Sequence, residues 1–344
     1  RIDIQMTYGQ LDTEEIRRFR ETVTRGELEK WYQNLMDEYH KWASYQLAWR
    51  KERNASMETL EFPFPYRKGQ REMVAGVYHA ISEEEQIFIQ APTGIGKTMS
   101  AIFPAVRAVG QEKGETVFYL TARTITRTVA EDAFSILRGK GLHFKSITIT
   151  AKEKMCFCDE MDCDPQKCPY AKGHYDRIND AVYELWTKEE AFDRETILAQ
   201  AEKYSVCPFE MTLDLAVWMD GIVCDYNYVF DPNVYLKRFF GENIKGKYLF
   251  LIDEAHNLVD RGREMYSATL CKEEIESTRR FVRSHSNRLY RMLGKAAKQL
   301  EVLKEESSSS WQVLENAGTL PVALLSIQGE MDKLLEEPPS QEFV

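Results

Sequence analysis

The chain has 344 residues, 43% of them hydrophobic and 29% charged, which is enough for two or three domains and a sizeable core. A net charge of −10 argues against a protein that coats nucleic acid, though not against one that grips it in a local groove. The longest apolar stretch, YLFLI at 248–252, is far short of the roughly 18 residues a membrane span needs, so no membrane partner is expected.

With no secretory signal and Arg1 in first place, the chain reads as a cytoplasmic piece of a longer gene product. RIDIQMTY (1–8) alternates like a strand and reads as the tail of a preceding domain. Residues 12–57 read as helix, because Leu28, Trp31, Leu35, Tyr39 and Trp42 recur at steps of three and four. Together they make an N-terminal helical segment, 1–61, closed by the breaker PFP at 63–65. Short apolar runs then alternate with helical stretches: IFIQA (87–91), TVFYLTA (116–122), SITIT (146–150), GIVC (221–224) and YLFLID (248–253). That order predicts an α/β fold with a mostly parallel sheet covered on both faces, spanning 62–151 plus 219–270. The long interval between the third and fourth runs, with helical stretches at 174–203 and 208–219, predicts an inserted small domain over 152–218. Residues 271–344 read as a helical, basic and incomplete segment.

IFIQAPTGIGKT (87–98) is a strand, a glycine turn and a helix start, and it fits the phosphate-loop pattern apart from Ala91 at the first glycine. Gly94 and Gly96 let backbone N–H groups converge beside Thr93, and the helix dipole adds positive potential there. Lys97 would reach the β- and γ-phosphates of ATP, and Thr98 would hold Mg²⁺. KYLFLIDEAH (247–256) ends a strand in two carboxylates. Asp253 would hold Mg²⁺ and Glu254 would polarise the attacking water. A strand followed by a solvated acidic turn is the plainer alternative for this stretch alone.

APTGIGKT, YLTARTITRTVAEDA (119–133), CDYNYVFDP (224–232) and DEAH (253–256) occur in that order, with cysteines between the second and third. Over 62–270 the chain resembles the superfamily 2 iron–sulfur helicases related to XPD and DinG. The resemblance implies a RecA-like P-loop motor domain, an inserted cluster domain, the start of an arch domain, and ATP-driven 5′→3′ DNA unwinding in DNA repair. It further implies that Arg67 and Gln70 of RKGQ read adenine, that Thr121 and Arg123 of TART contact the single-strand backbone, and that His256 couples nucleotide state to the DNA groove. Bland readings of the same residues are a solvated turn, a helix cap with a surface arginine, and a structural histidine.

KMCFCDEMDCDPQKCPY (154–170) concentrates four of the seven cysteines. Zinc, an iron–sulfur cluster, a disulfide pair and unligated thiols all remain open on the residues alone, although the irregular spacing suits a cubane better than the close pairs of zinc sites. Matching the family pattern assigns Cys156, Cys163, Cys168 and Cys207 to a [4Fe–4S] cluster, with Cys158 as the alternative to Cys156. Lys152, Lys154, Lys167, Lys172 and Arg177, interleaved with Phe157, Tyr170 and Tyr175, could line the point where a duplex is split and one strand is led to the motor. No second nucleotide motif follows His256, so the chain is expected to be a monomeric half-motor that binds single-stranded DNA and a fork or duplex junction. It would need a second motor domain from elsewhere and turn ATP over poorly alone. The competing expectation is a zinc-stabilised nucleic-acid-binding ATP switch without unwinding.

Overall fold

The computed structural model describes residues 1–10, 15–92, 94–122, 124–307, 310–311 and 313–336; Thr93 and Arg123 lie outside them. The chain divides into two compact units, 1–266 and 267–344.

The first unit opens with β1 (Ile2–Gly9) and β2 (Ile16–Val23), an antiparallel ribbon in register from Ile2 opposite Val23 to Gly9 opposite Ile16. Residues 16–23 are therefore strand, against the expected helix. The helix α1 (Arg25–Glu58) starts only after Thr24, which caps it: Glu27 N–H donates to Thr24 Oγ1 at 3.3 Å and Thr24 N–H to Glu27 Oε2 at 2.7 Å. This reciprocal Thr-x-x-Glu box was present in the sequence and marks the boundary.

Next come α2 (Gln70–Ser82), α3 (Lys97–Gly110), β3 (Thr116–Thr121), α4 (Thr124–Arg138), β4 (Ser146–Thr148) and α5 (Lys152–Met155). They are followed by α6 (His174–Lys188), β5 (Ala191–Phe192), α7 (Arg194–Tyr204), α8 (Pro208–Ala216) and β6 (Gly221–Asp225). The unit ends with α9 (Asn227–Phe230), α10 (Lys237–Phe240), β7 (Tyr248–Ile252) and α11 (Leu258–Met265). The main sheet is parallel, in the order β5-β4-β6-β3-β7. Its inner strands β4, β6 and β3 are buried on both faces, as central parallel strands require, while the edge strand β7 is partly exposed. Val117 and Tyr119 point into a core with Ile102, Val106 and Phe134, while Phe118 and Leu120 point into another with Trp186, Met211 and Tyr226. This is the expected α/β, RecA-like architecture.

Two expectations need correction. The stretch 174–203 is broken into α6 and α7, and the residues between them contribute β5, paired with β4 through Ser146–Ala191 and Ile147–Phe192. Asp193, whose carboxylate accepts the Thr196 N–H at 2.9 Å, starts α7 and forces the break. IFIQA (87–91) pairs with no strand among the described residues. Phe88 is 89% exposed and Phe250 of the edge strand β7 is 43% exposed. An apolar run gains its register from burial, and here neither side is covered.

The C-terminal half of α1 belongs to the core. Trp42 stacks on Trp186 at 5.5 Å and meets Trp218 at 5.0 Å, and Tyr45 donates to the Trp186 carbonyl at 3.3 Å. Asp220, at the mouth of β6, accepts from Arg53 Nη1 at 2.6 Å, Trp49 Nε1 at 3.1 Å and Lys145 N–H at 2.9 Å.

The second unit is helical: α12 (Lys272–Phe281), α13 (Asn287–Glu306) and α14 (Leu320–Glu336) close over Ile275, Leu289, Leu293, Ala296 and Ile327. No helix among the described residues is long and apolar enough to cross a membrane.

Candidate nucleotide and nucleic-acid site

The turn into α3 carries Gly94 at φ +84° and Gly96 at φ +81°, left-handed values that side-chain-bearing residues avoid. A Cβ on Gly96 would sit 2.8 Å from Gln70 Nε2. Gln70 is buried at the start of α2, and its Oε1 accepts the Arg67 N–H at 3.0 Å. Arg67 Nη1 donates to the Gly94 carbonyl. The fold thus brings RKGQ, distant in sequence, against the glycine turn.

Lys97 heads α3, with Nζ donating to the Ala91 carbonyl at 3.4 Å and lying 3.6 Å from Glu254 Oε1. Thr98 Oγ1 accepts from the Tyr119 hydroxyl at 3.4 Å. Asp253 extends the β3–β7 ladder by one bond, its N–H donating to the Leu120 carbonyl at 2.9 Å, which places its carboxyl at the strand's end. Burial raises the Asp253 pKa above the usual carboxylate value; the hydrogen bond from Tyr119 and the charge of Lys97 oppose that rise. Tyr119 therefore stands beside both Thr98 and Asp253. Tyr226 braces the same turn by donating to the Asp253 carbonyl and, at 3.2 Å, to the Glu254 carbonyl.

Glu254 sits at φ 49°, ψ 45°. A non-glycine residue held there costs roughly 1–3 kcal/mol, and such strain gathers at functional sites. The twist places the Glu254 carboxylate between Lys97 and His256, whose Nδ1 is 3.5 Å from Glu254 Oε2. Neither tyrosine could be picked out from the sequence, because each looks like an ordinary strand or strand-end aromatic.

At the same carboxyl edge Thr121 pairs in register with Asp225, and its hydroxyl shares a hydrogen bond with Thr126. Asp225 lies 3.8 Å from Arg127 Nη2 and 3.3 Å from Arg261 Nη2; the latter also donates to Asn227 Oδ1 at 3.2 Å. Arg127, Asp225 and Arg261 were missed, although CDYNY follows a strand into the edge where parallel sheets collect ligand groups.

Among the cysteines, Cys168 is buried, Cys163 exposed, and Cys156, Cys158 and Cys207 partly buried. Burial and hydrogen bonding with Cys168 and Cys156 push the Cys158 thiol up to about 11. Cys163 hydrogen-bonds to Lys152, which raises the Lys152 pKa, and Cys207 also lies near that ammonium. Cys207 begins α8, and its N–H donates to His174 Nδ1 at 3.2 Å. No group of three or more His, Cys, Asp or Glu among the described residues is arranged to hold a metal ion. The sulfurs are gathered into one small helical region, yet Lys152 stands beside two of them and Cys158 contacts two others.

The basic residues there divide by role. Lys152 faces Cys163 and also lies 5.9 Å from the Phe209 ring centre, while Lys167 pairs with Asp162 at 2.6 Å. Arg177 spends its guanidinium on carbonyls, donating to Lys172 at 2.8 Å, Tyr204 at 3.0 Å and Ser205 at 2.7 Å. It holds the carbonyls before α6 and at the end of α7 together, unlike the freely displayed cation expected. Lys154 and Lys172 show only their carbonyls in such bonds, Lys154 accepting from Arg194 at 2.8 Å.

The DEAD/DEAH box helicase family matches residues 67–190, and the DEAD_2 family matches residues 142–275. The Fanconi anemia group J protein homolog of Gallus gallus is 32% identical over 90 residues, covering 26% of this chain and 7% of that protein. Regulator of telomere elongation helicase 1 of Bos taurus is 22% identical over 327 residues, covering 80% of this chain and 26% of that protein. A solved structure titled Truncated XPD aligns at a TM-score of 0.48 with 19% identity, over 77% of this chain and 76% of that one. The chain spans about a quarter or less of the length of these curated relatives.

Proposed function

We propose that this chain is a member of the superfamily 2 helicase family of XPD and DinG and forms the first motor half of an ATP-dependent DNA helicase. One observation supports this most: Lys97 and Glu254 meet at 3.6 Å across a left-handed glycine turn, beside the half-buried carboxyl of Asp253. The backbone N–H groups around Gly94 and Gly96 and the Lys97 ammonium would receive the ATP phosphates, with Arg67 and Gln70 on the base side. Thr98 and Asp253 would hold Mg²⁺, which neutralises phosphate charge when bound. Glu254 would orient the attacking water and accept its proton. Thr121 with Arg123, and the face bearing Lys152, Lys154 and Lys172, would meet single-stranded DNA at a fork or junction. The 5′→3′ polarity and the need for a second motor domain follow the family reading. A zinc-stabilised ATP switch is the less favoured alternative.

Glu254→Gln is expected to bind ATP as the unaltered chain does while hydrolysis falls at least a hundredfold, the usual range for losing a group that acts on the transition state. Normal turnover in single-turnover assays of that variant would remove Glu254 from the role.

For the cysteines we propose a [4Fe–4S] cluster on Cys156, Cys163, Cys168 and Cys207, with Cys158 as the alternative to Cys156. The concentration of five of the seven cysteines between 156 and 207 supports it, since a cubane asks for four thiolates from one region of the fold. The cluster would cross-link α5, α6 and α8. Protein purified without oxygen is expected to carry about four irons and four sulfides per chain, with no zinc. Zinc without sulfide would favour the switch reading instead.

A further inference from the structure

We propose that the exposed face of α13 is a binding surface for the phosphodiester backbone of nucleic acid. Between Arg279 and Lys298 the sequence holds seven Lys or Arg and no Asp or Glu, in a chain whose net charge is −10. The acids are displaced to either side: Glu273, Glu274 and Glu276 precede the run, and Glu301, Glu305 and Glu306 follow it.

The helix sorts these cations by role. Leu289, Leu293, Ala296 and Ala297 are buried against the rest of the second unit. Arg288, Arg291, Lys295 and Lys298 stand on the opposite face and are exposed. At about 1.5 Å per residue the stripe is roughly 15 Å long. Arg288 reaches Glu330 at 3.4 Å and Lys298 lies near Glu301, so the two ends of the stripe are partly neutralised. Arg291 and Lys295 make no ion pair among the described residues, and with Asn287, Arg288 and Met292 they line a groove of about 550 Å³. Arg279 is occupied differently, donating to the Tyr290 carbonyl at 3.2 Å and stacking on its ring at 4.3 Å.

Arg288 and Arg291, Arg291 and Lys295, and Lys295 and Lys298 are spaced three or four apart, where like charges repel along a helix. A face needed only for solubility would interleave opposite signs. This one keeps a line of repulsion that a polyanion relieves, releasing its counterions as it binds. A phosphate chain fits a linear stripe better than a single phosphorylated small molecule does, because four charges are spread along the axis.

The choice of nucleic acid over another polyanion rests on the helicase reading above. The test uses the 344-residue chain and a fluorescent single-stranded oligonucleotide, titrated from about 50 to 200 mM salt, the range in which phosphate contacts are read. The double variant Arg291→Glu, Lys295→Glu is expected to bind at least tenfold more weakly, and its log–log salt slope to be shallower by about 1.4. Arg291→Gln with Lys295→Gln, which only neutralises, should show the same slope change with a smaller loss. ATP binding should be unchanged in both, which separates this surface from the motor. An unaltered slope in both variants overturns the proposal and leaves the helicase reading standing. Equal affinity for poly-glutamate at matched ionic strength overturns the nucleic-acid assignment. A failure of the helicase reading would show instead in Glu254→Gln, through unchanged ATP turnover.

Discussion

Lys97→Ala is expected to lower ATP affinity and, in the longer protein, ATP turnover by about a hundredfold to a thousandfold, the range for removing one charged group from a developing phosphoryl charge. The reason is geometric. Lys97 opens α3 after two left-handed glycines, so its ammonium and the backbone N–H groups of the turn converge on one point. Its present partners, the Ala91 carbonyl at 3.4 Å and the Glu254 carboxylate at 3.6 Å, are long contacts that a triphosphate can displace. The side chain is about one-third exposed, so the variant should keep its fold and its thermal midpoint. A fluorescent ATP analogue titrated into both proteins decides the matter; matching affinities would exclude Lys97 as a phosphate ligand.

The largest effect on stability is expected at Asp220. Its carboxylate is nearly buried and receives three donors at once, from Arg53, Trp49 and the Lys145 backbone. Asp220→Ala leaves the Arg53 guanidinium, itself only 12% exposed, without a counter-charge, and strands a buried indole N–H and a backbone N–H. Breaking one side of a buried pair costs about 3–5 kcal/mol, because the remaining charge is uncompensated. Arg53→Met with Asp220→Leu removes the orphaned charge and should cost less than the single change, the remaining loss coming from the Trp49 indole N–H and the Lys145 N–H left without their acceptor. Urea unfolding monitored by tryptophan fluorescence reads both, since Trp49 and Trp42 lie on the affected helix. A loss below about 1 kcal/mol in the single variant would show that α1 is not anchored through this carboxylate.

These two residues differ in how visible they were beforehand. Lys97 was legible because a phosphate loop is local: its apolar run, glycines, lysine and helix start lie within twelve consecutive residues. The same holds for Asp253 and Glu254, which close an apolar run. Asp220 carried no local mark, and its importance comes from Arg53 and Trp49, more than 160 positions away. Tyr119 and Tyr226 were hidden for the same reason. Each is one more aromatic in an apolar stretch until the sheet order sets it beside Thr98, Asp253 or the Glu254 carbonyl.

Local pattern also misled where two local preferences competed. Residues 16–23 fit a helical period, yet β1 offered a partner in full register and the Thr24 cap placed the helix start after them. IFIQA looked like a strand, but a strand needs a neighbour's ladder and cover for both faces, and the described residues provide neither.

By itself the sequence determined the α/β class, the glycine turn with its lysine, the paired carboxylates and the concentration of thiols, because each depends on residues adjacent in the chain. Only the tertiary structure decided which side chains meet. It set Arg67 and Gln70 on the glycine turn, Tyr119 between Thr98 and Asp253, Arg177 on carbonyls, and Cys158 against Cys156 and Cys168. Such meetings arise from the parallel order β5-β4-β6-β3-β7, which brings strand ends together across long stretches of chain, and no spacing along a sequence encodes them.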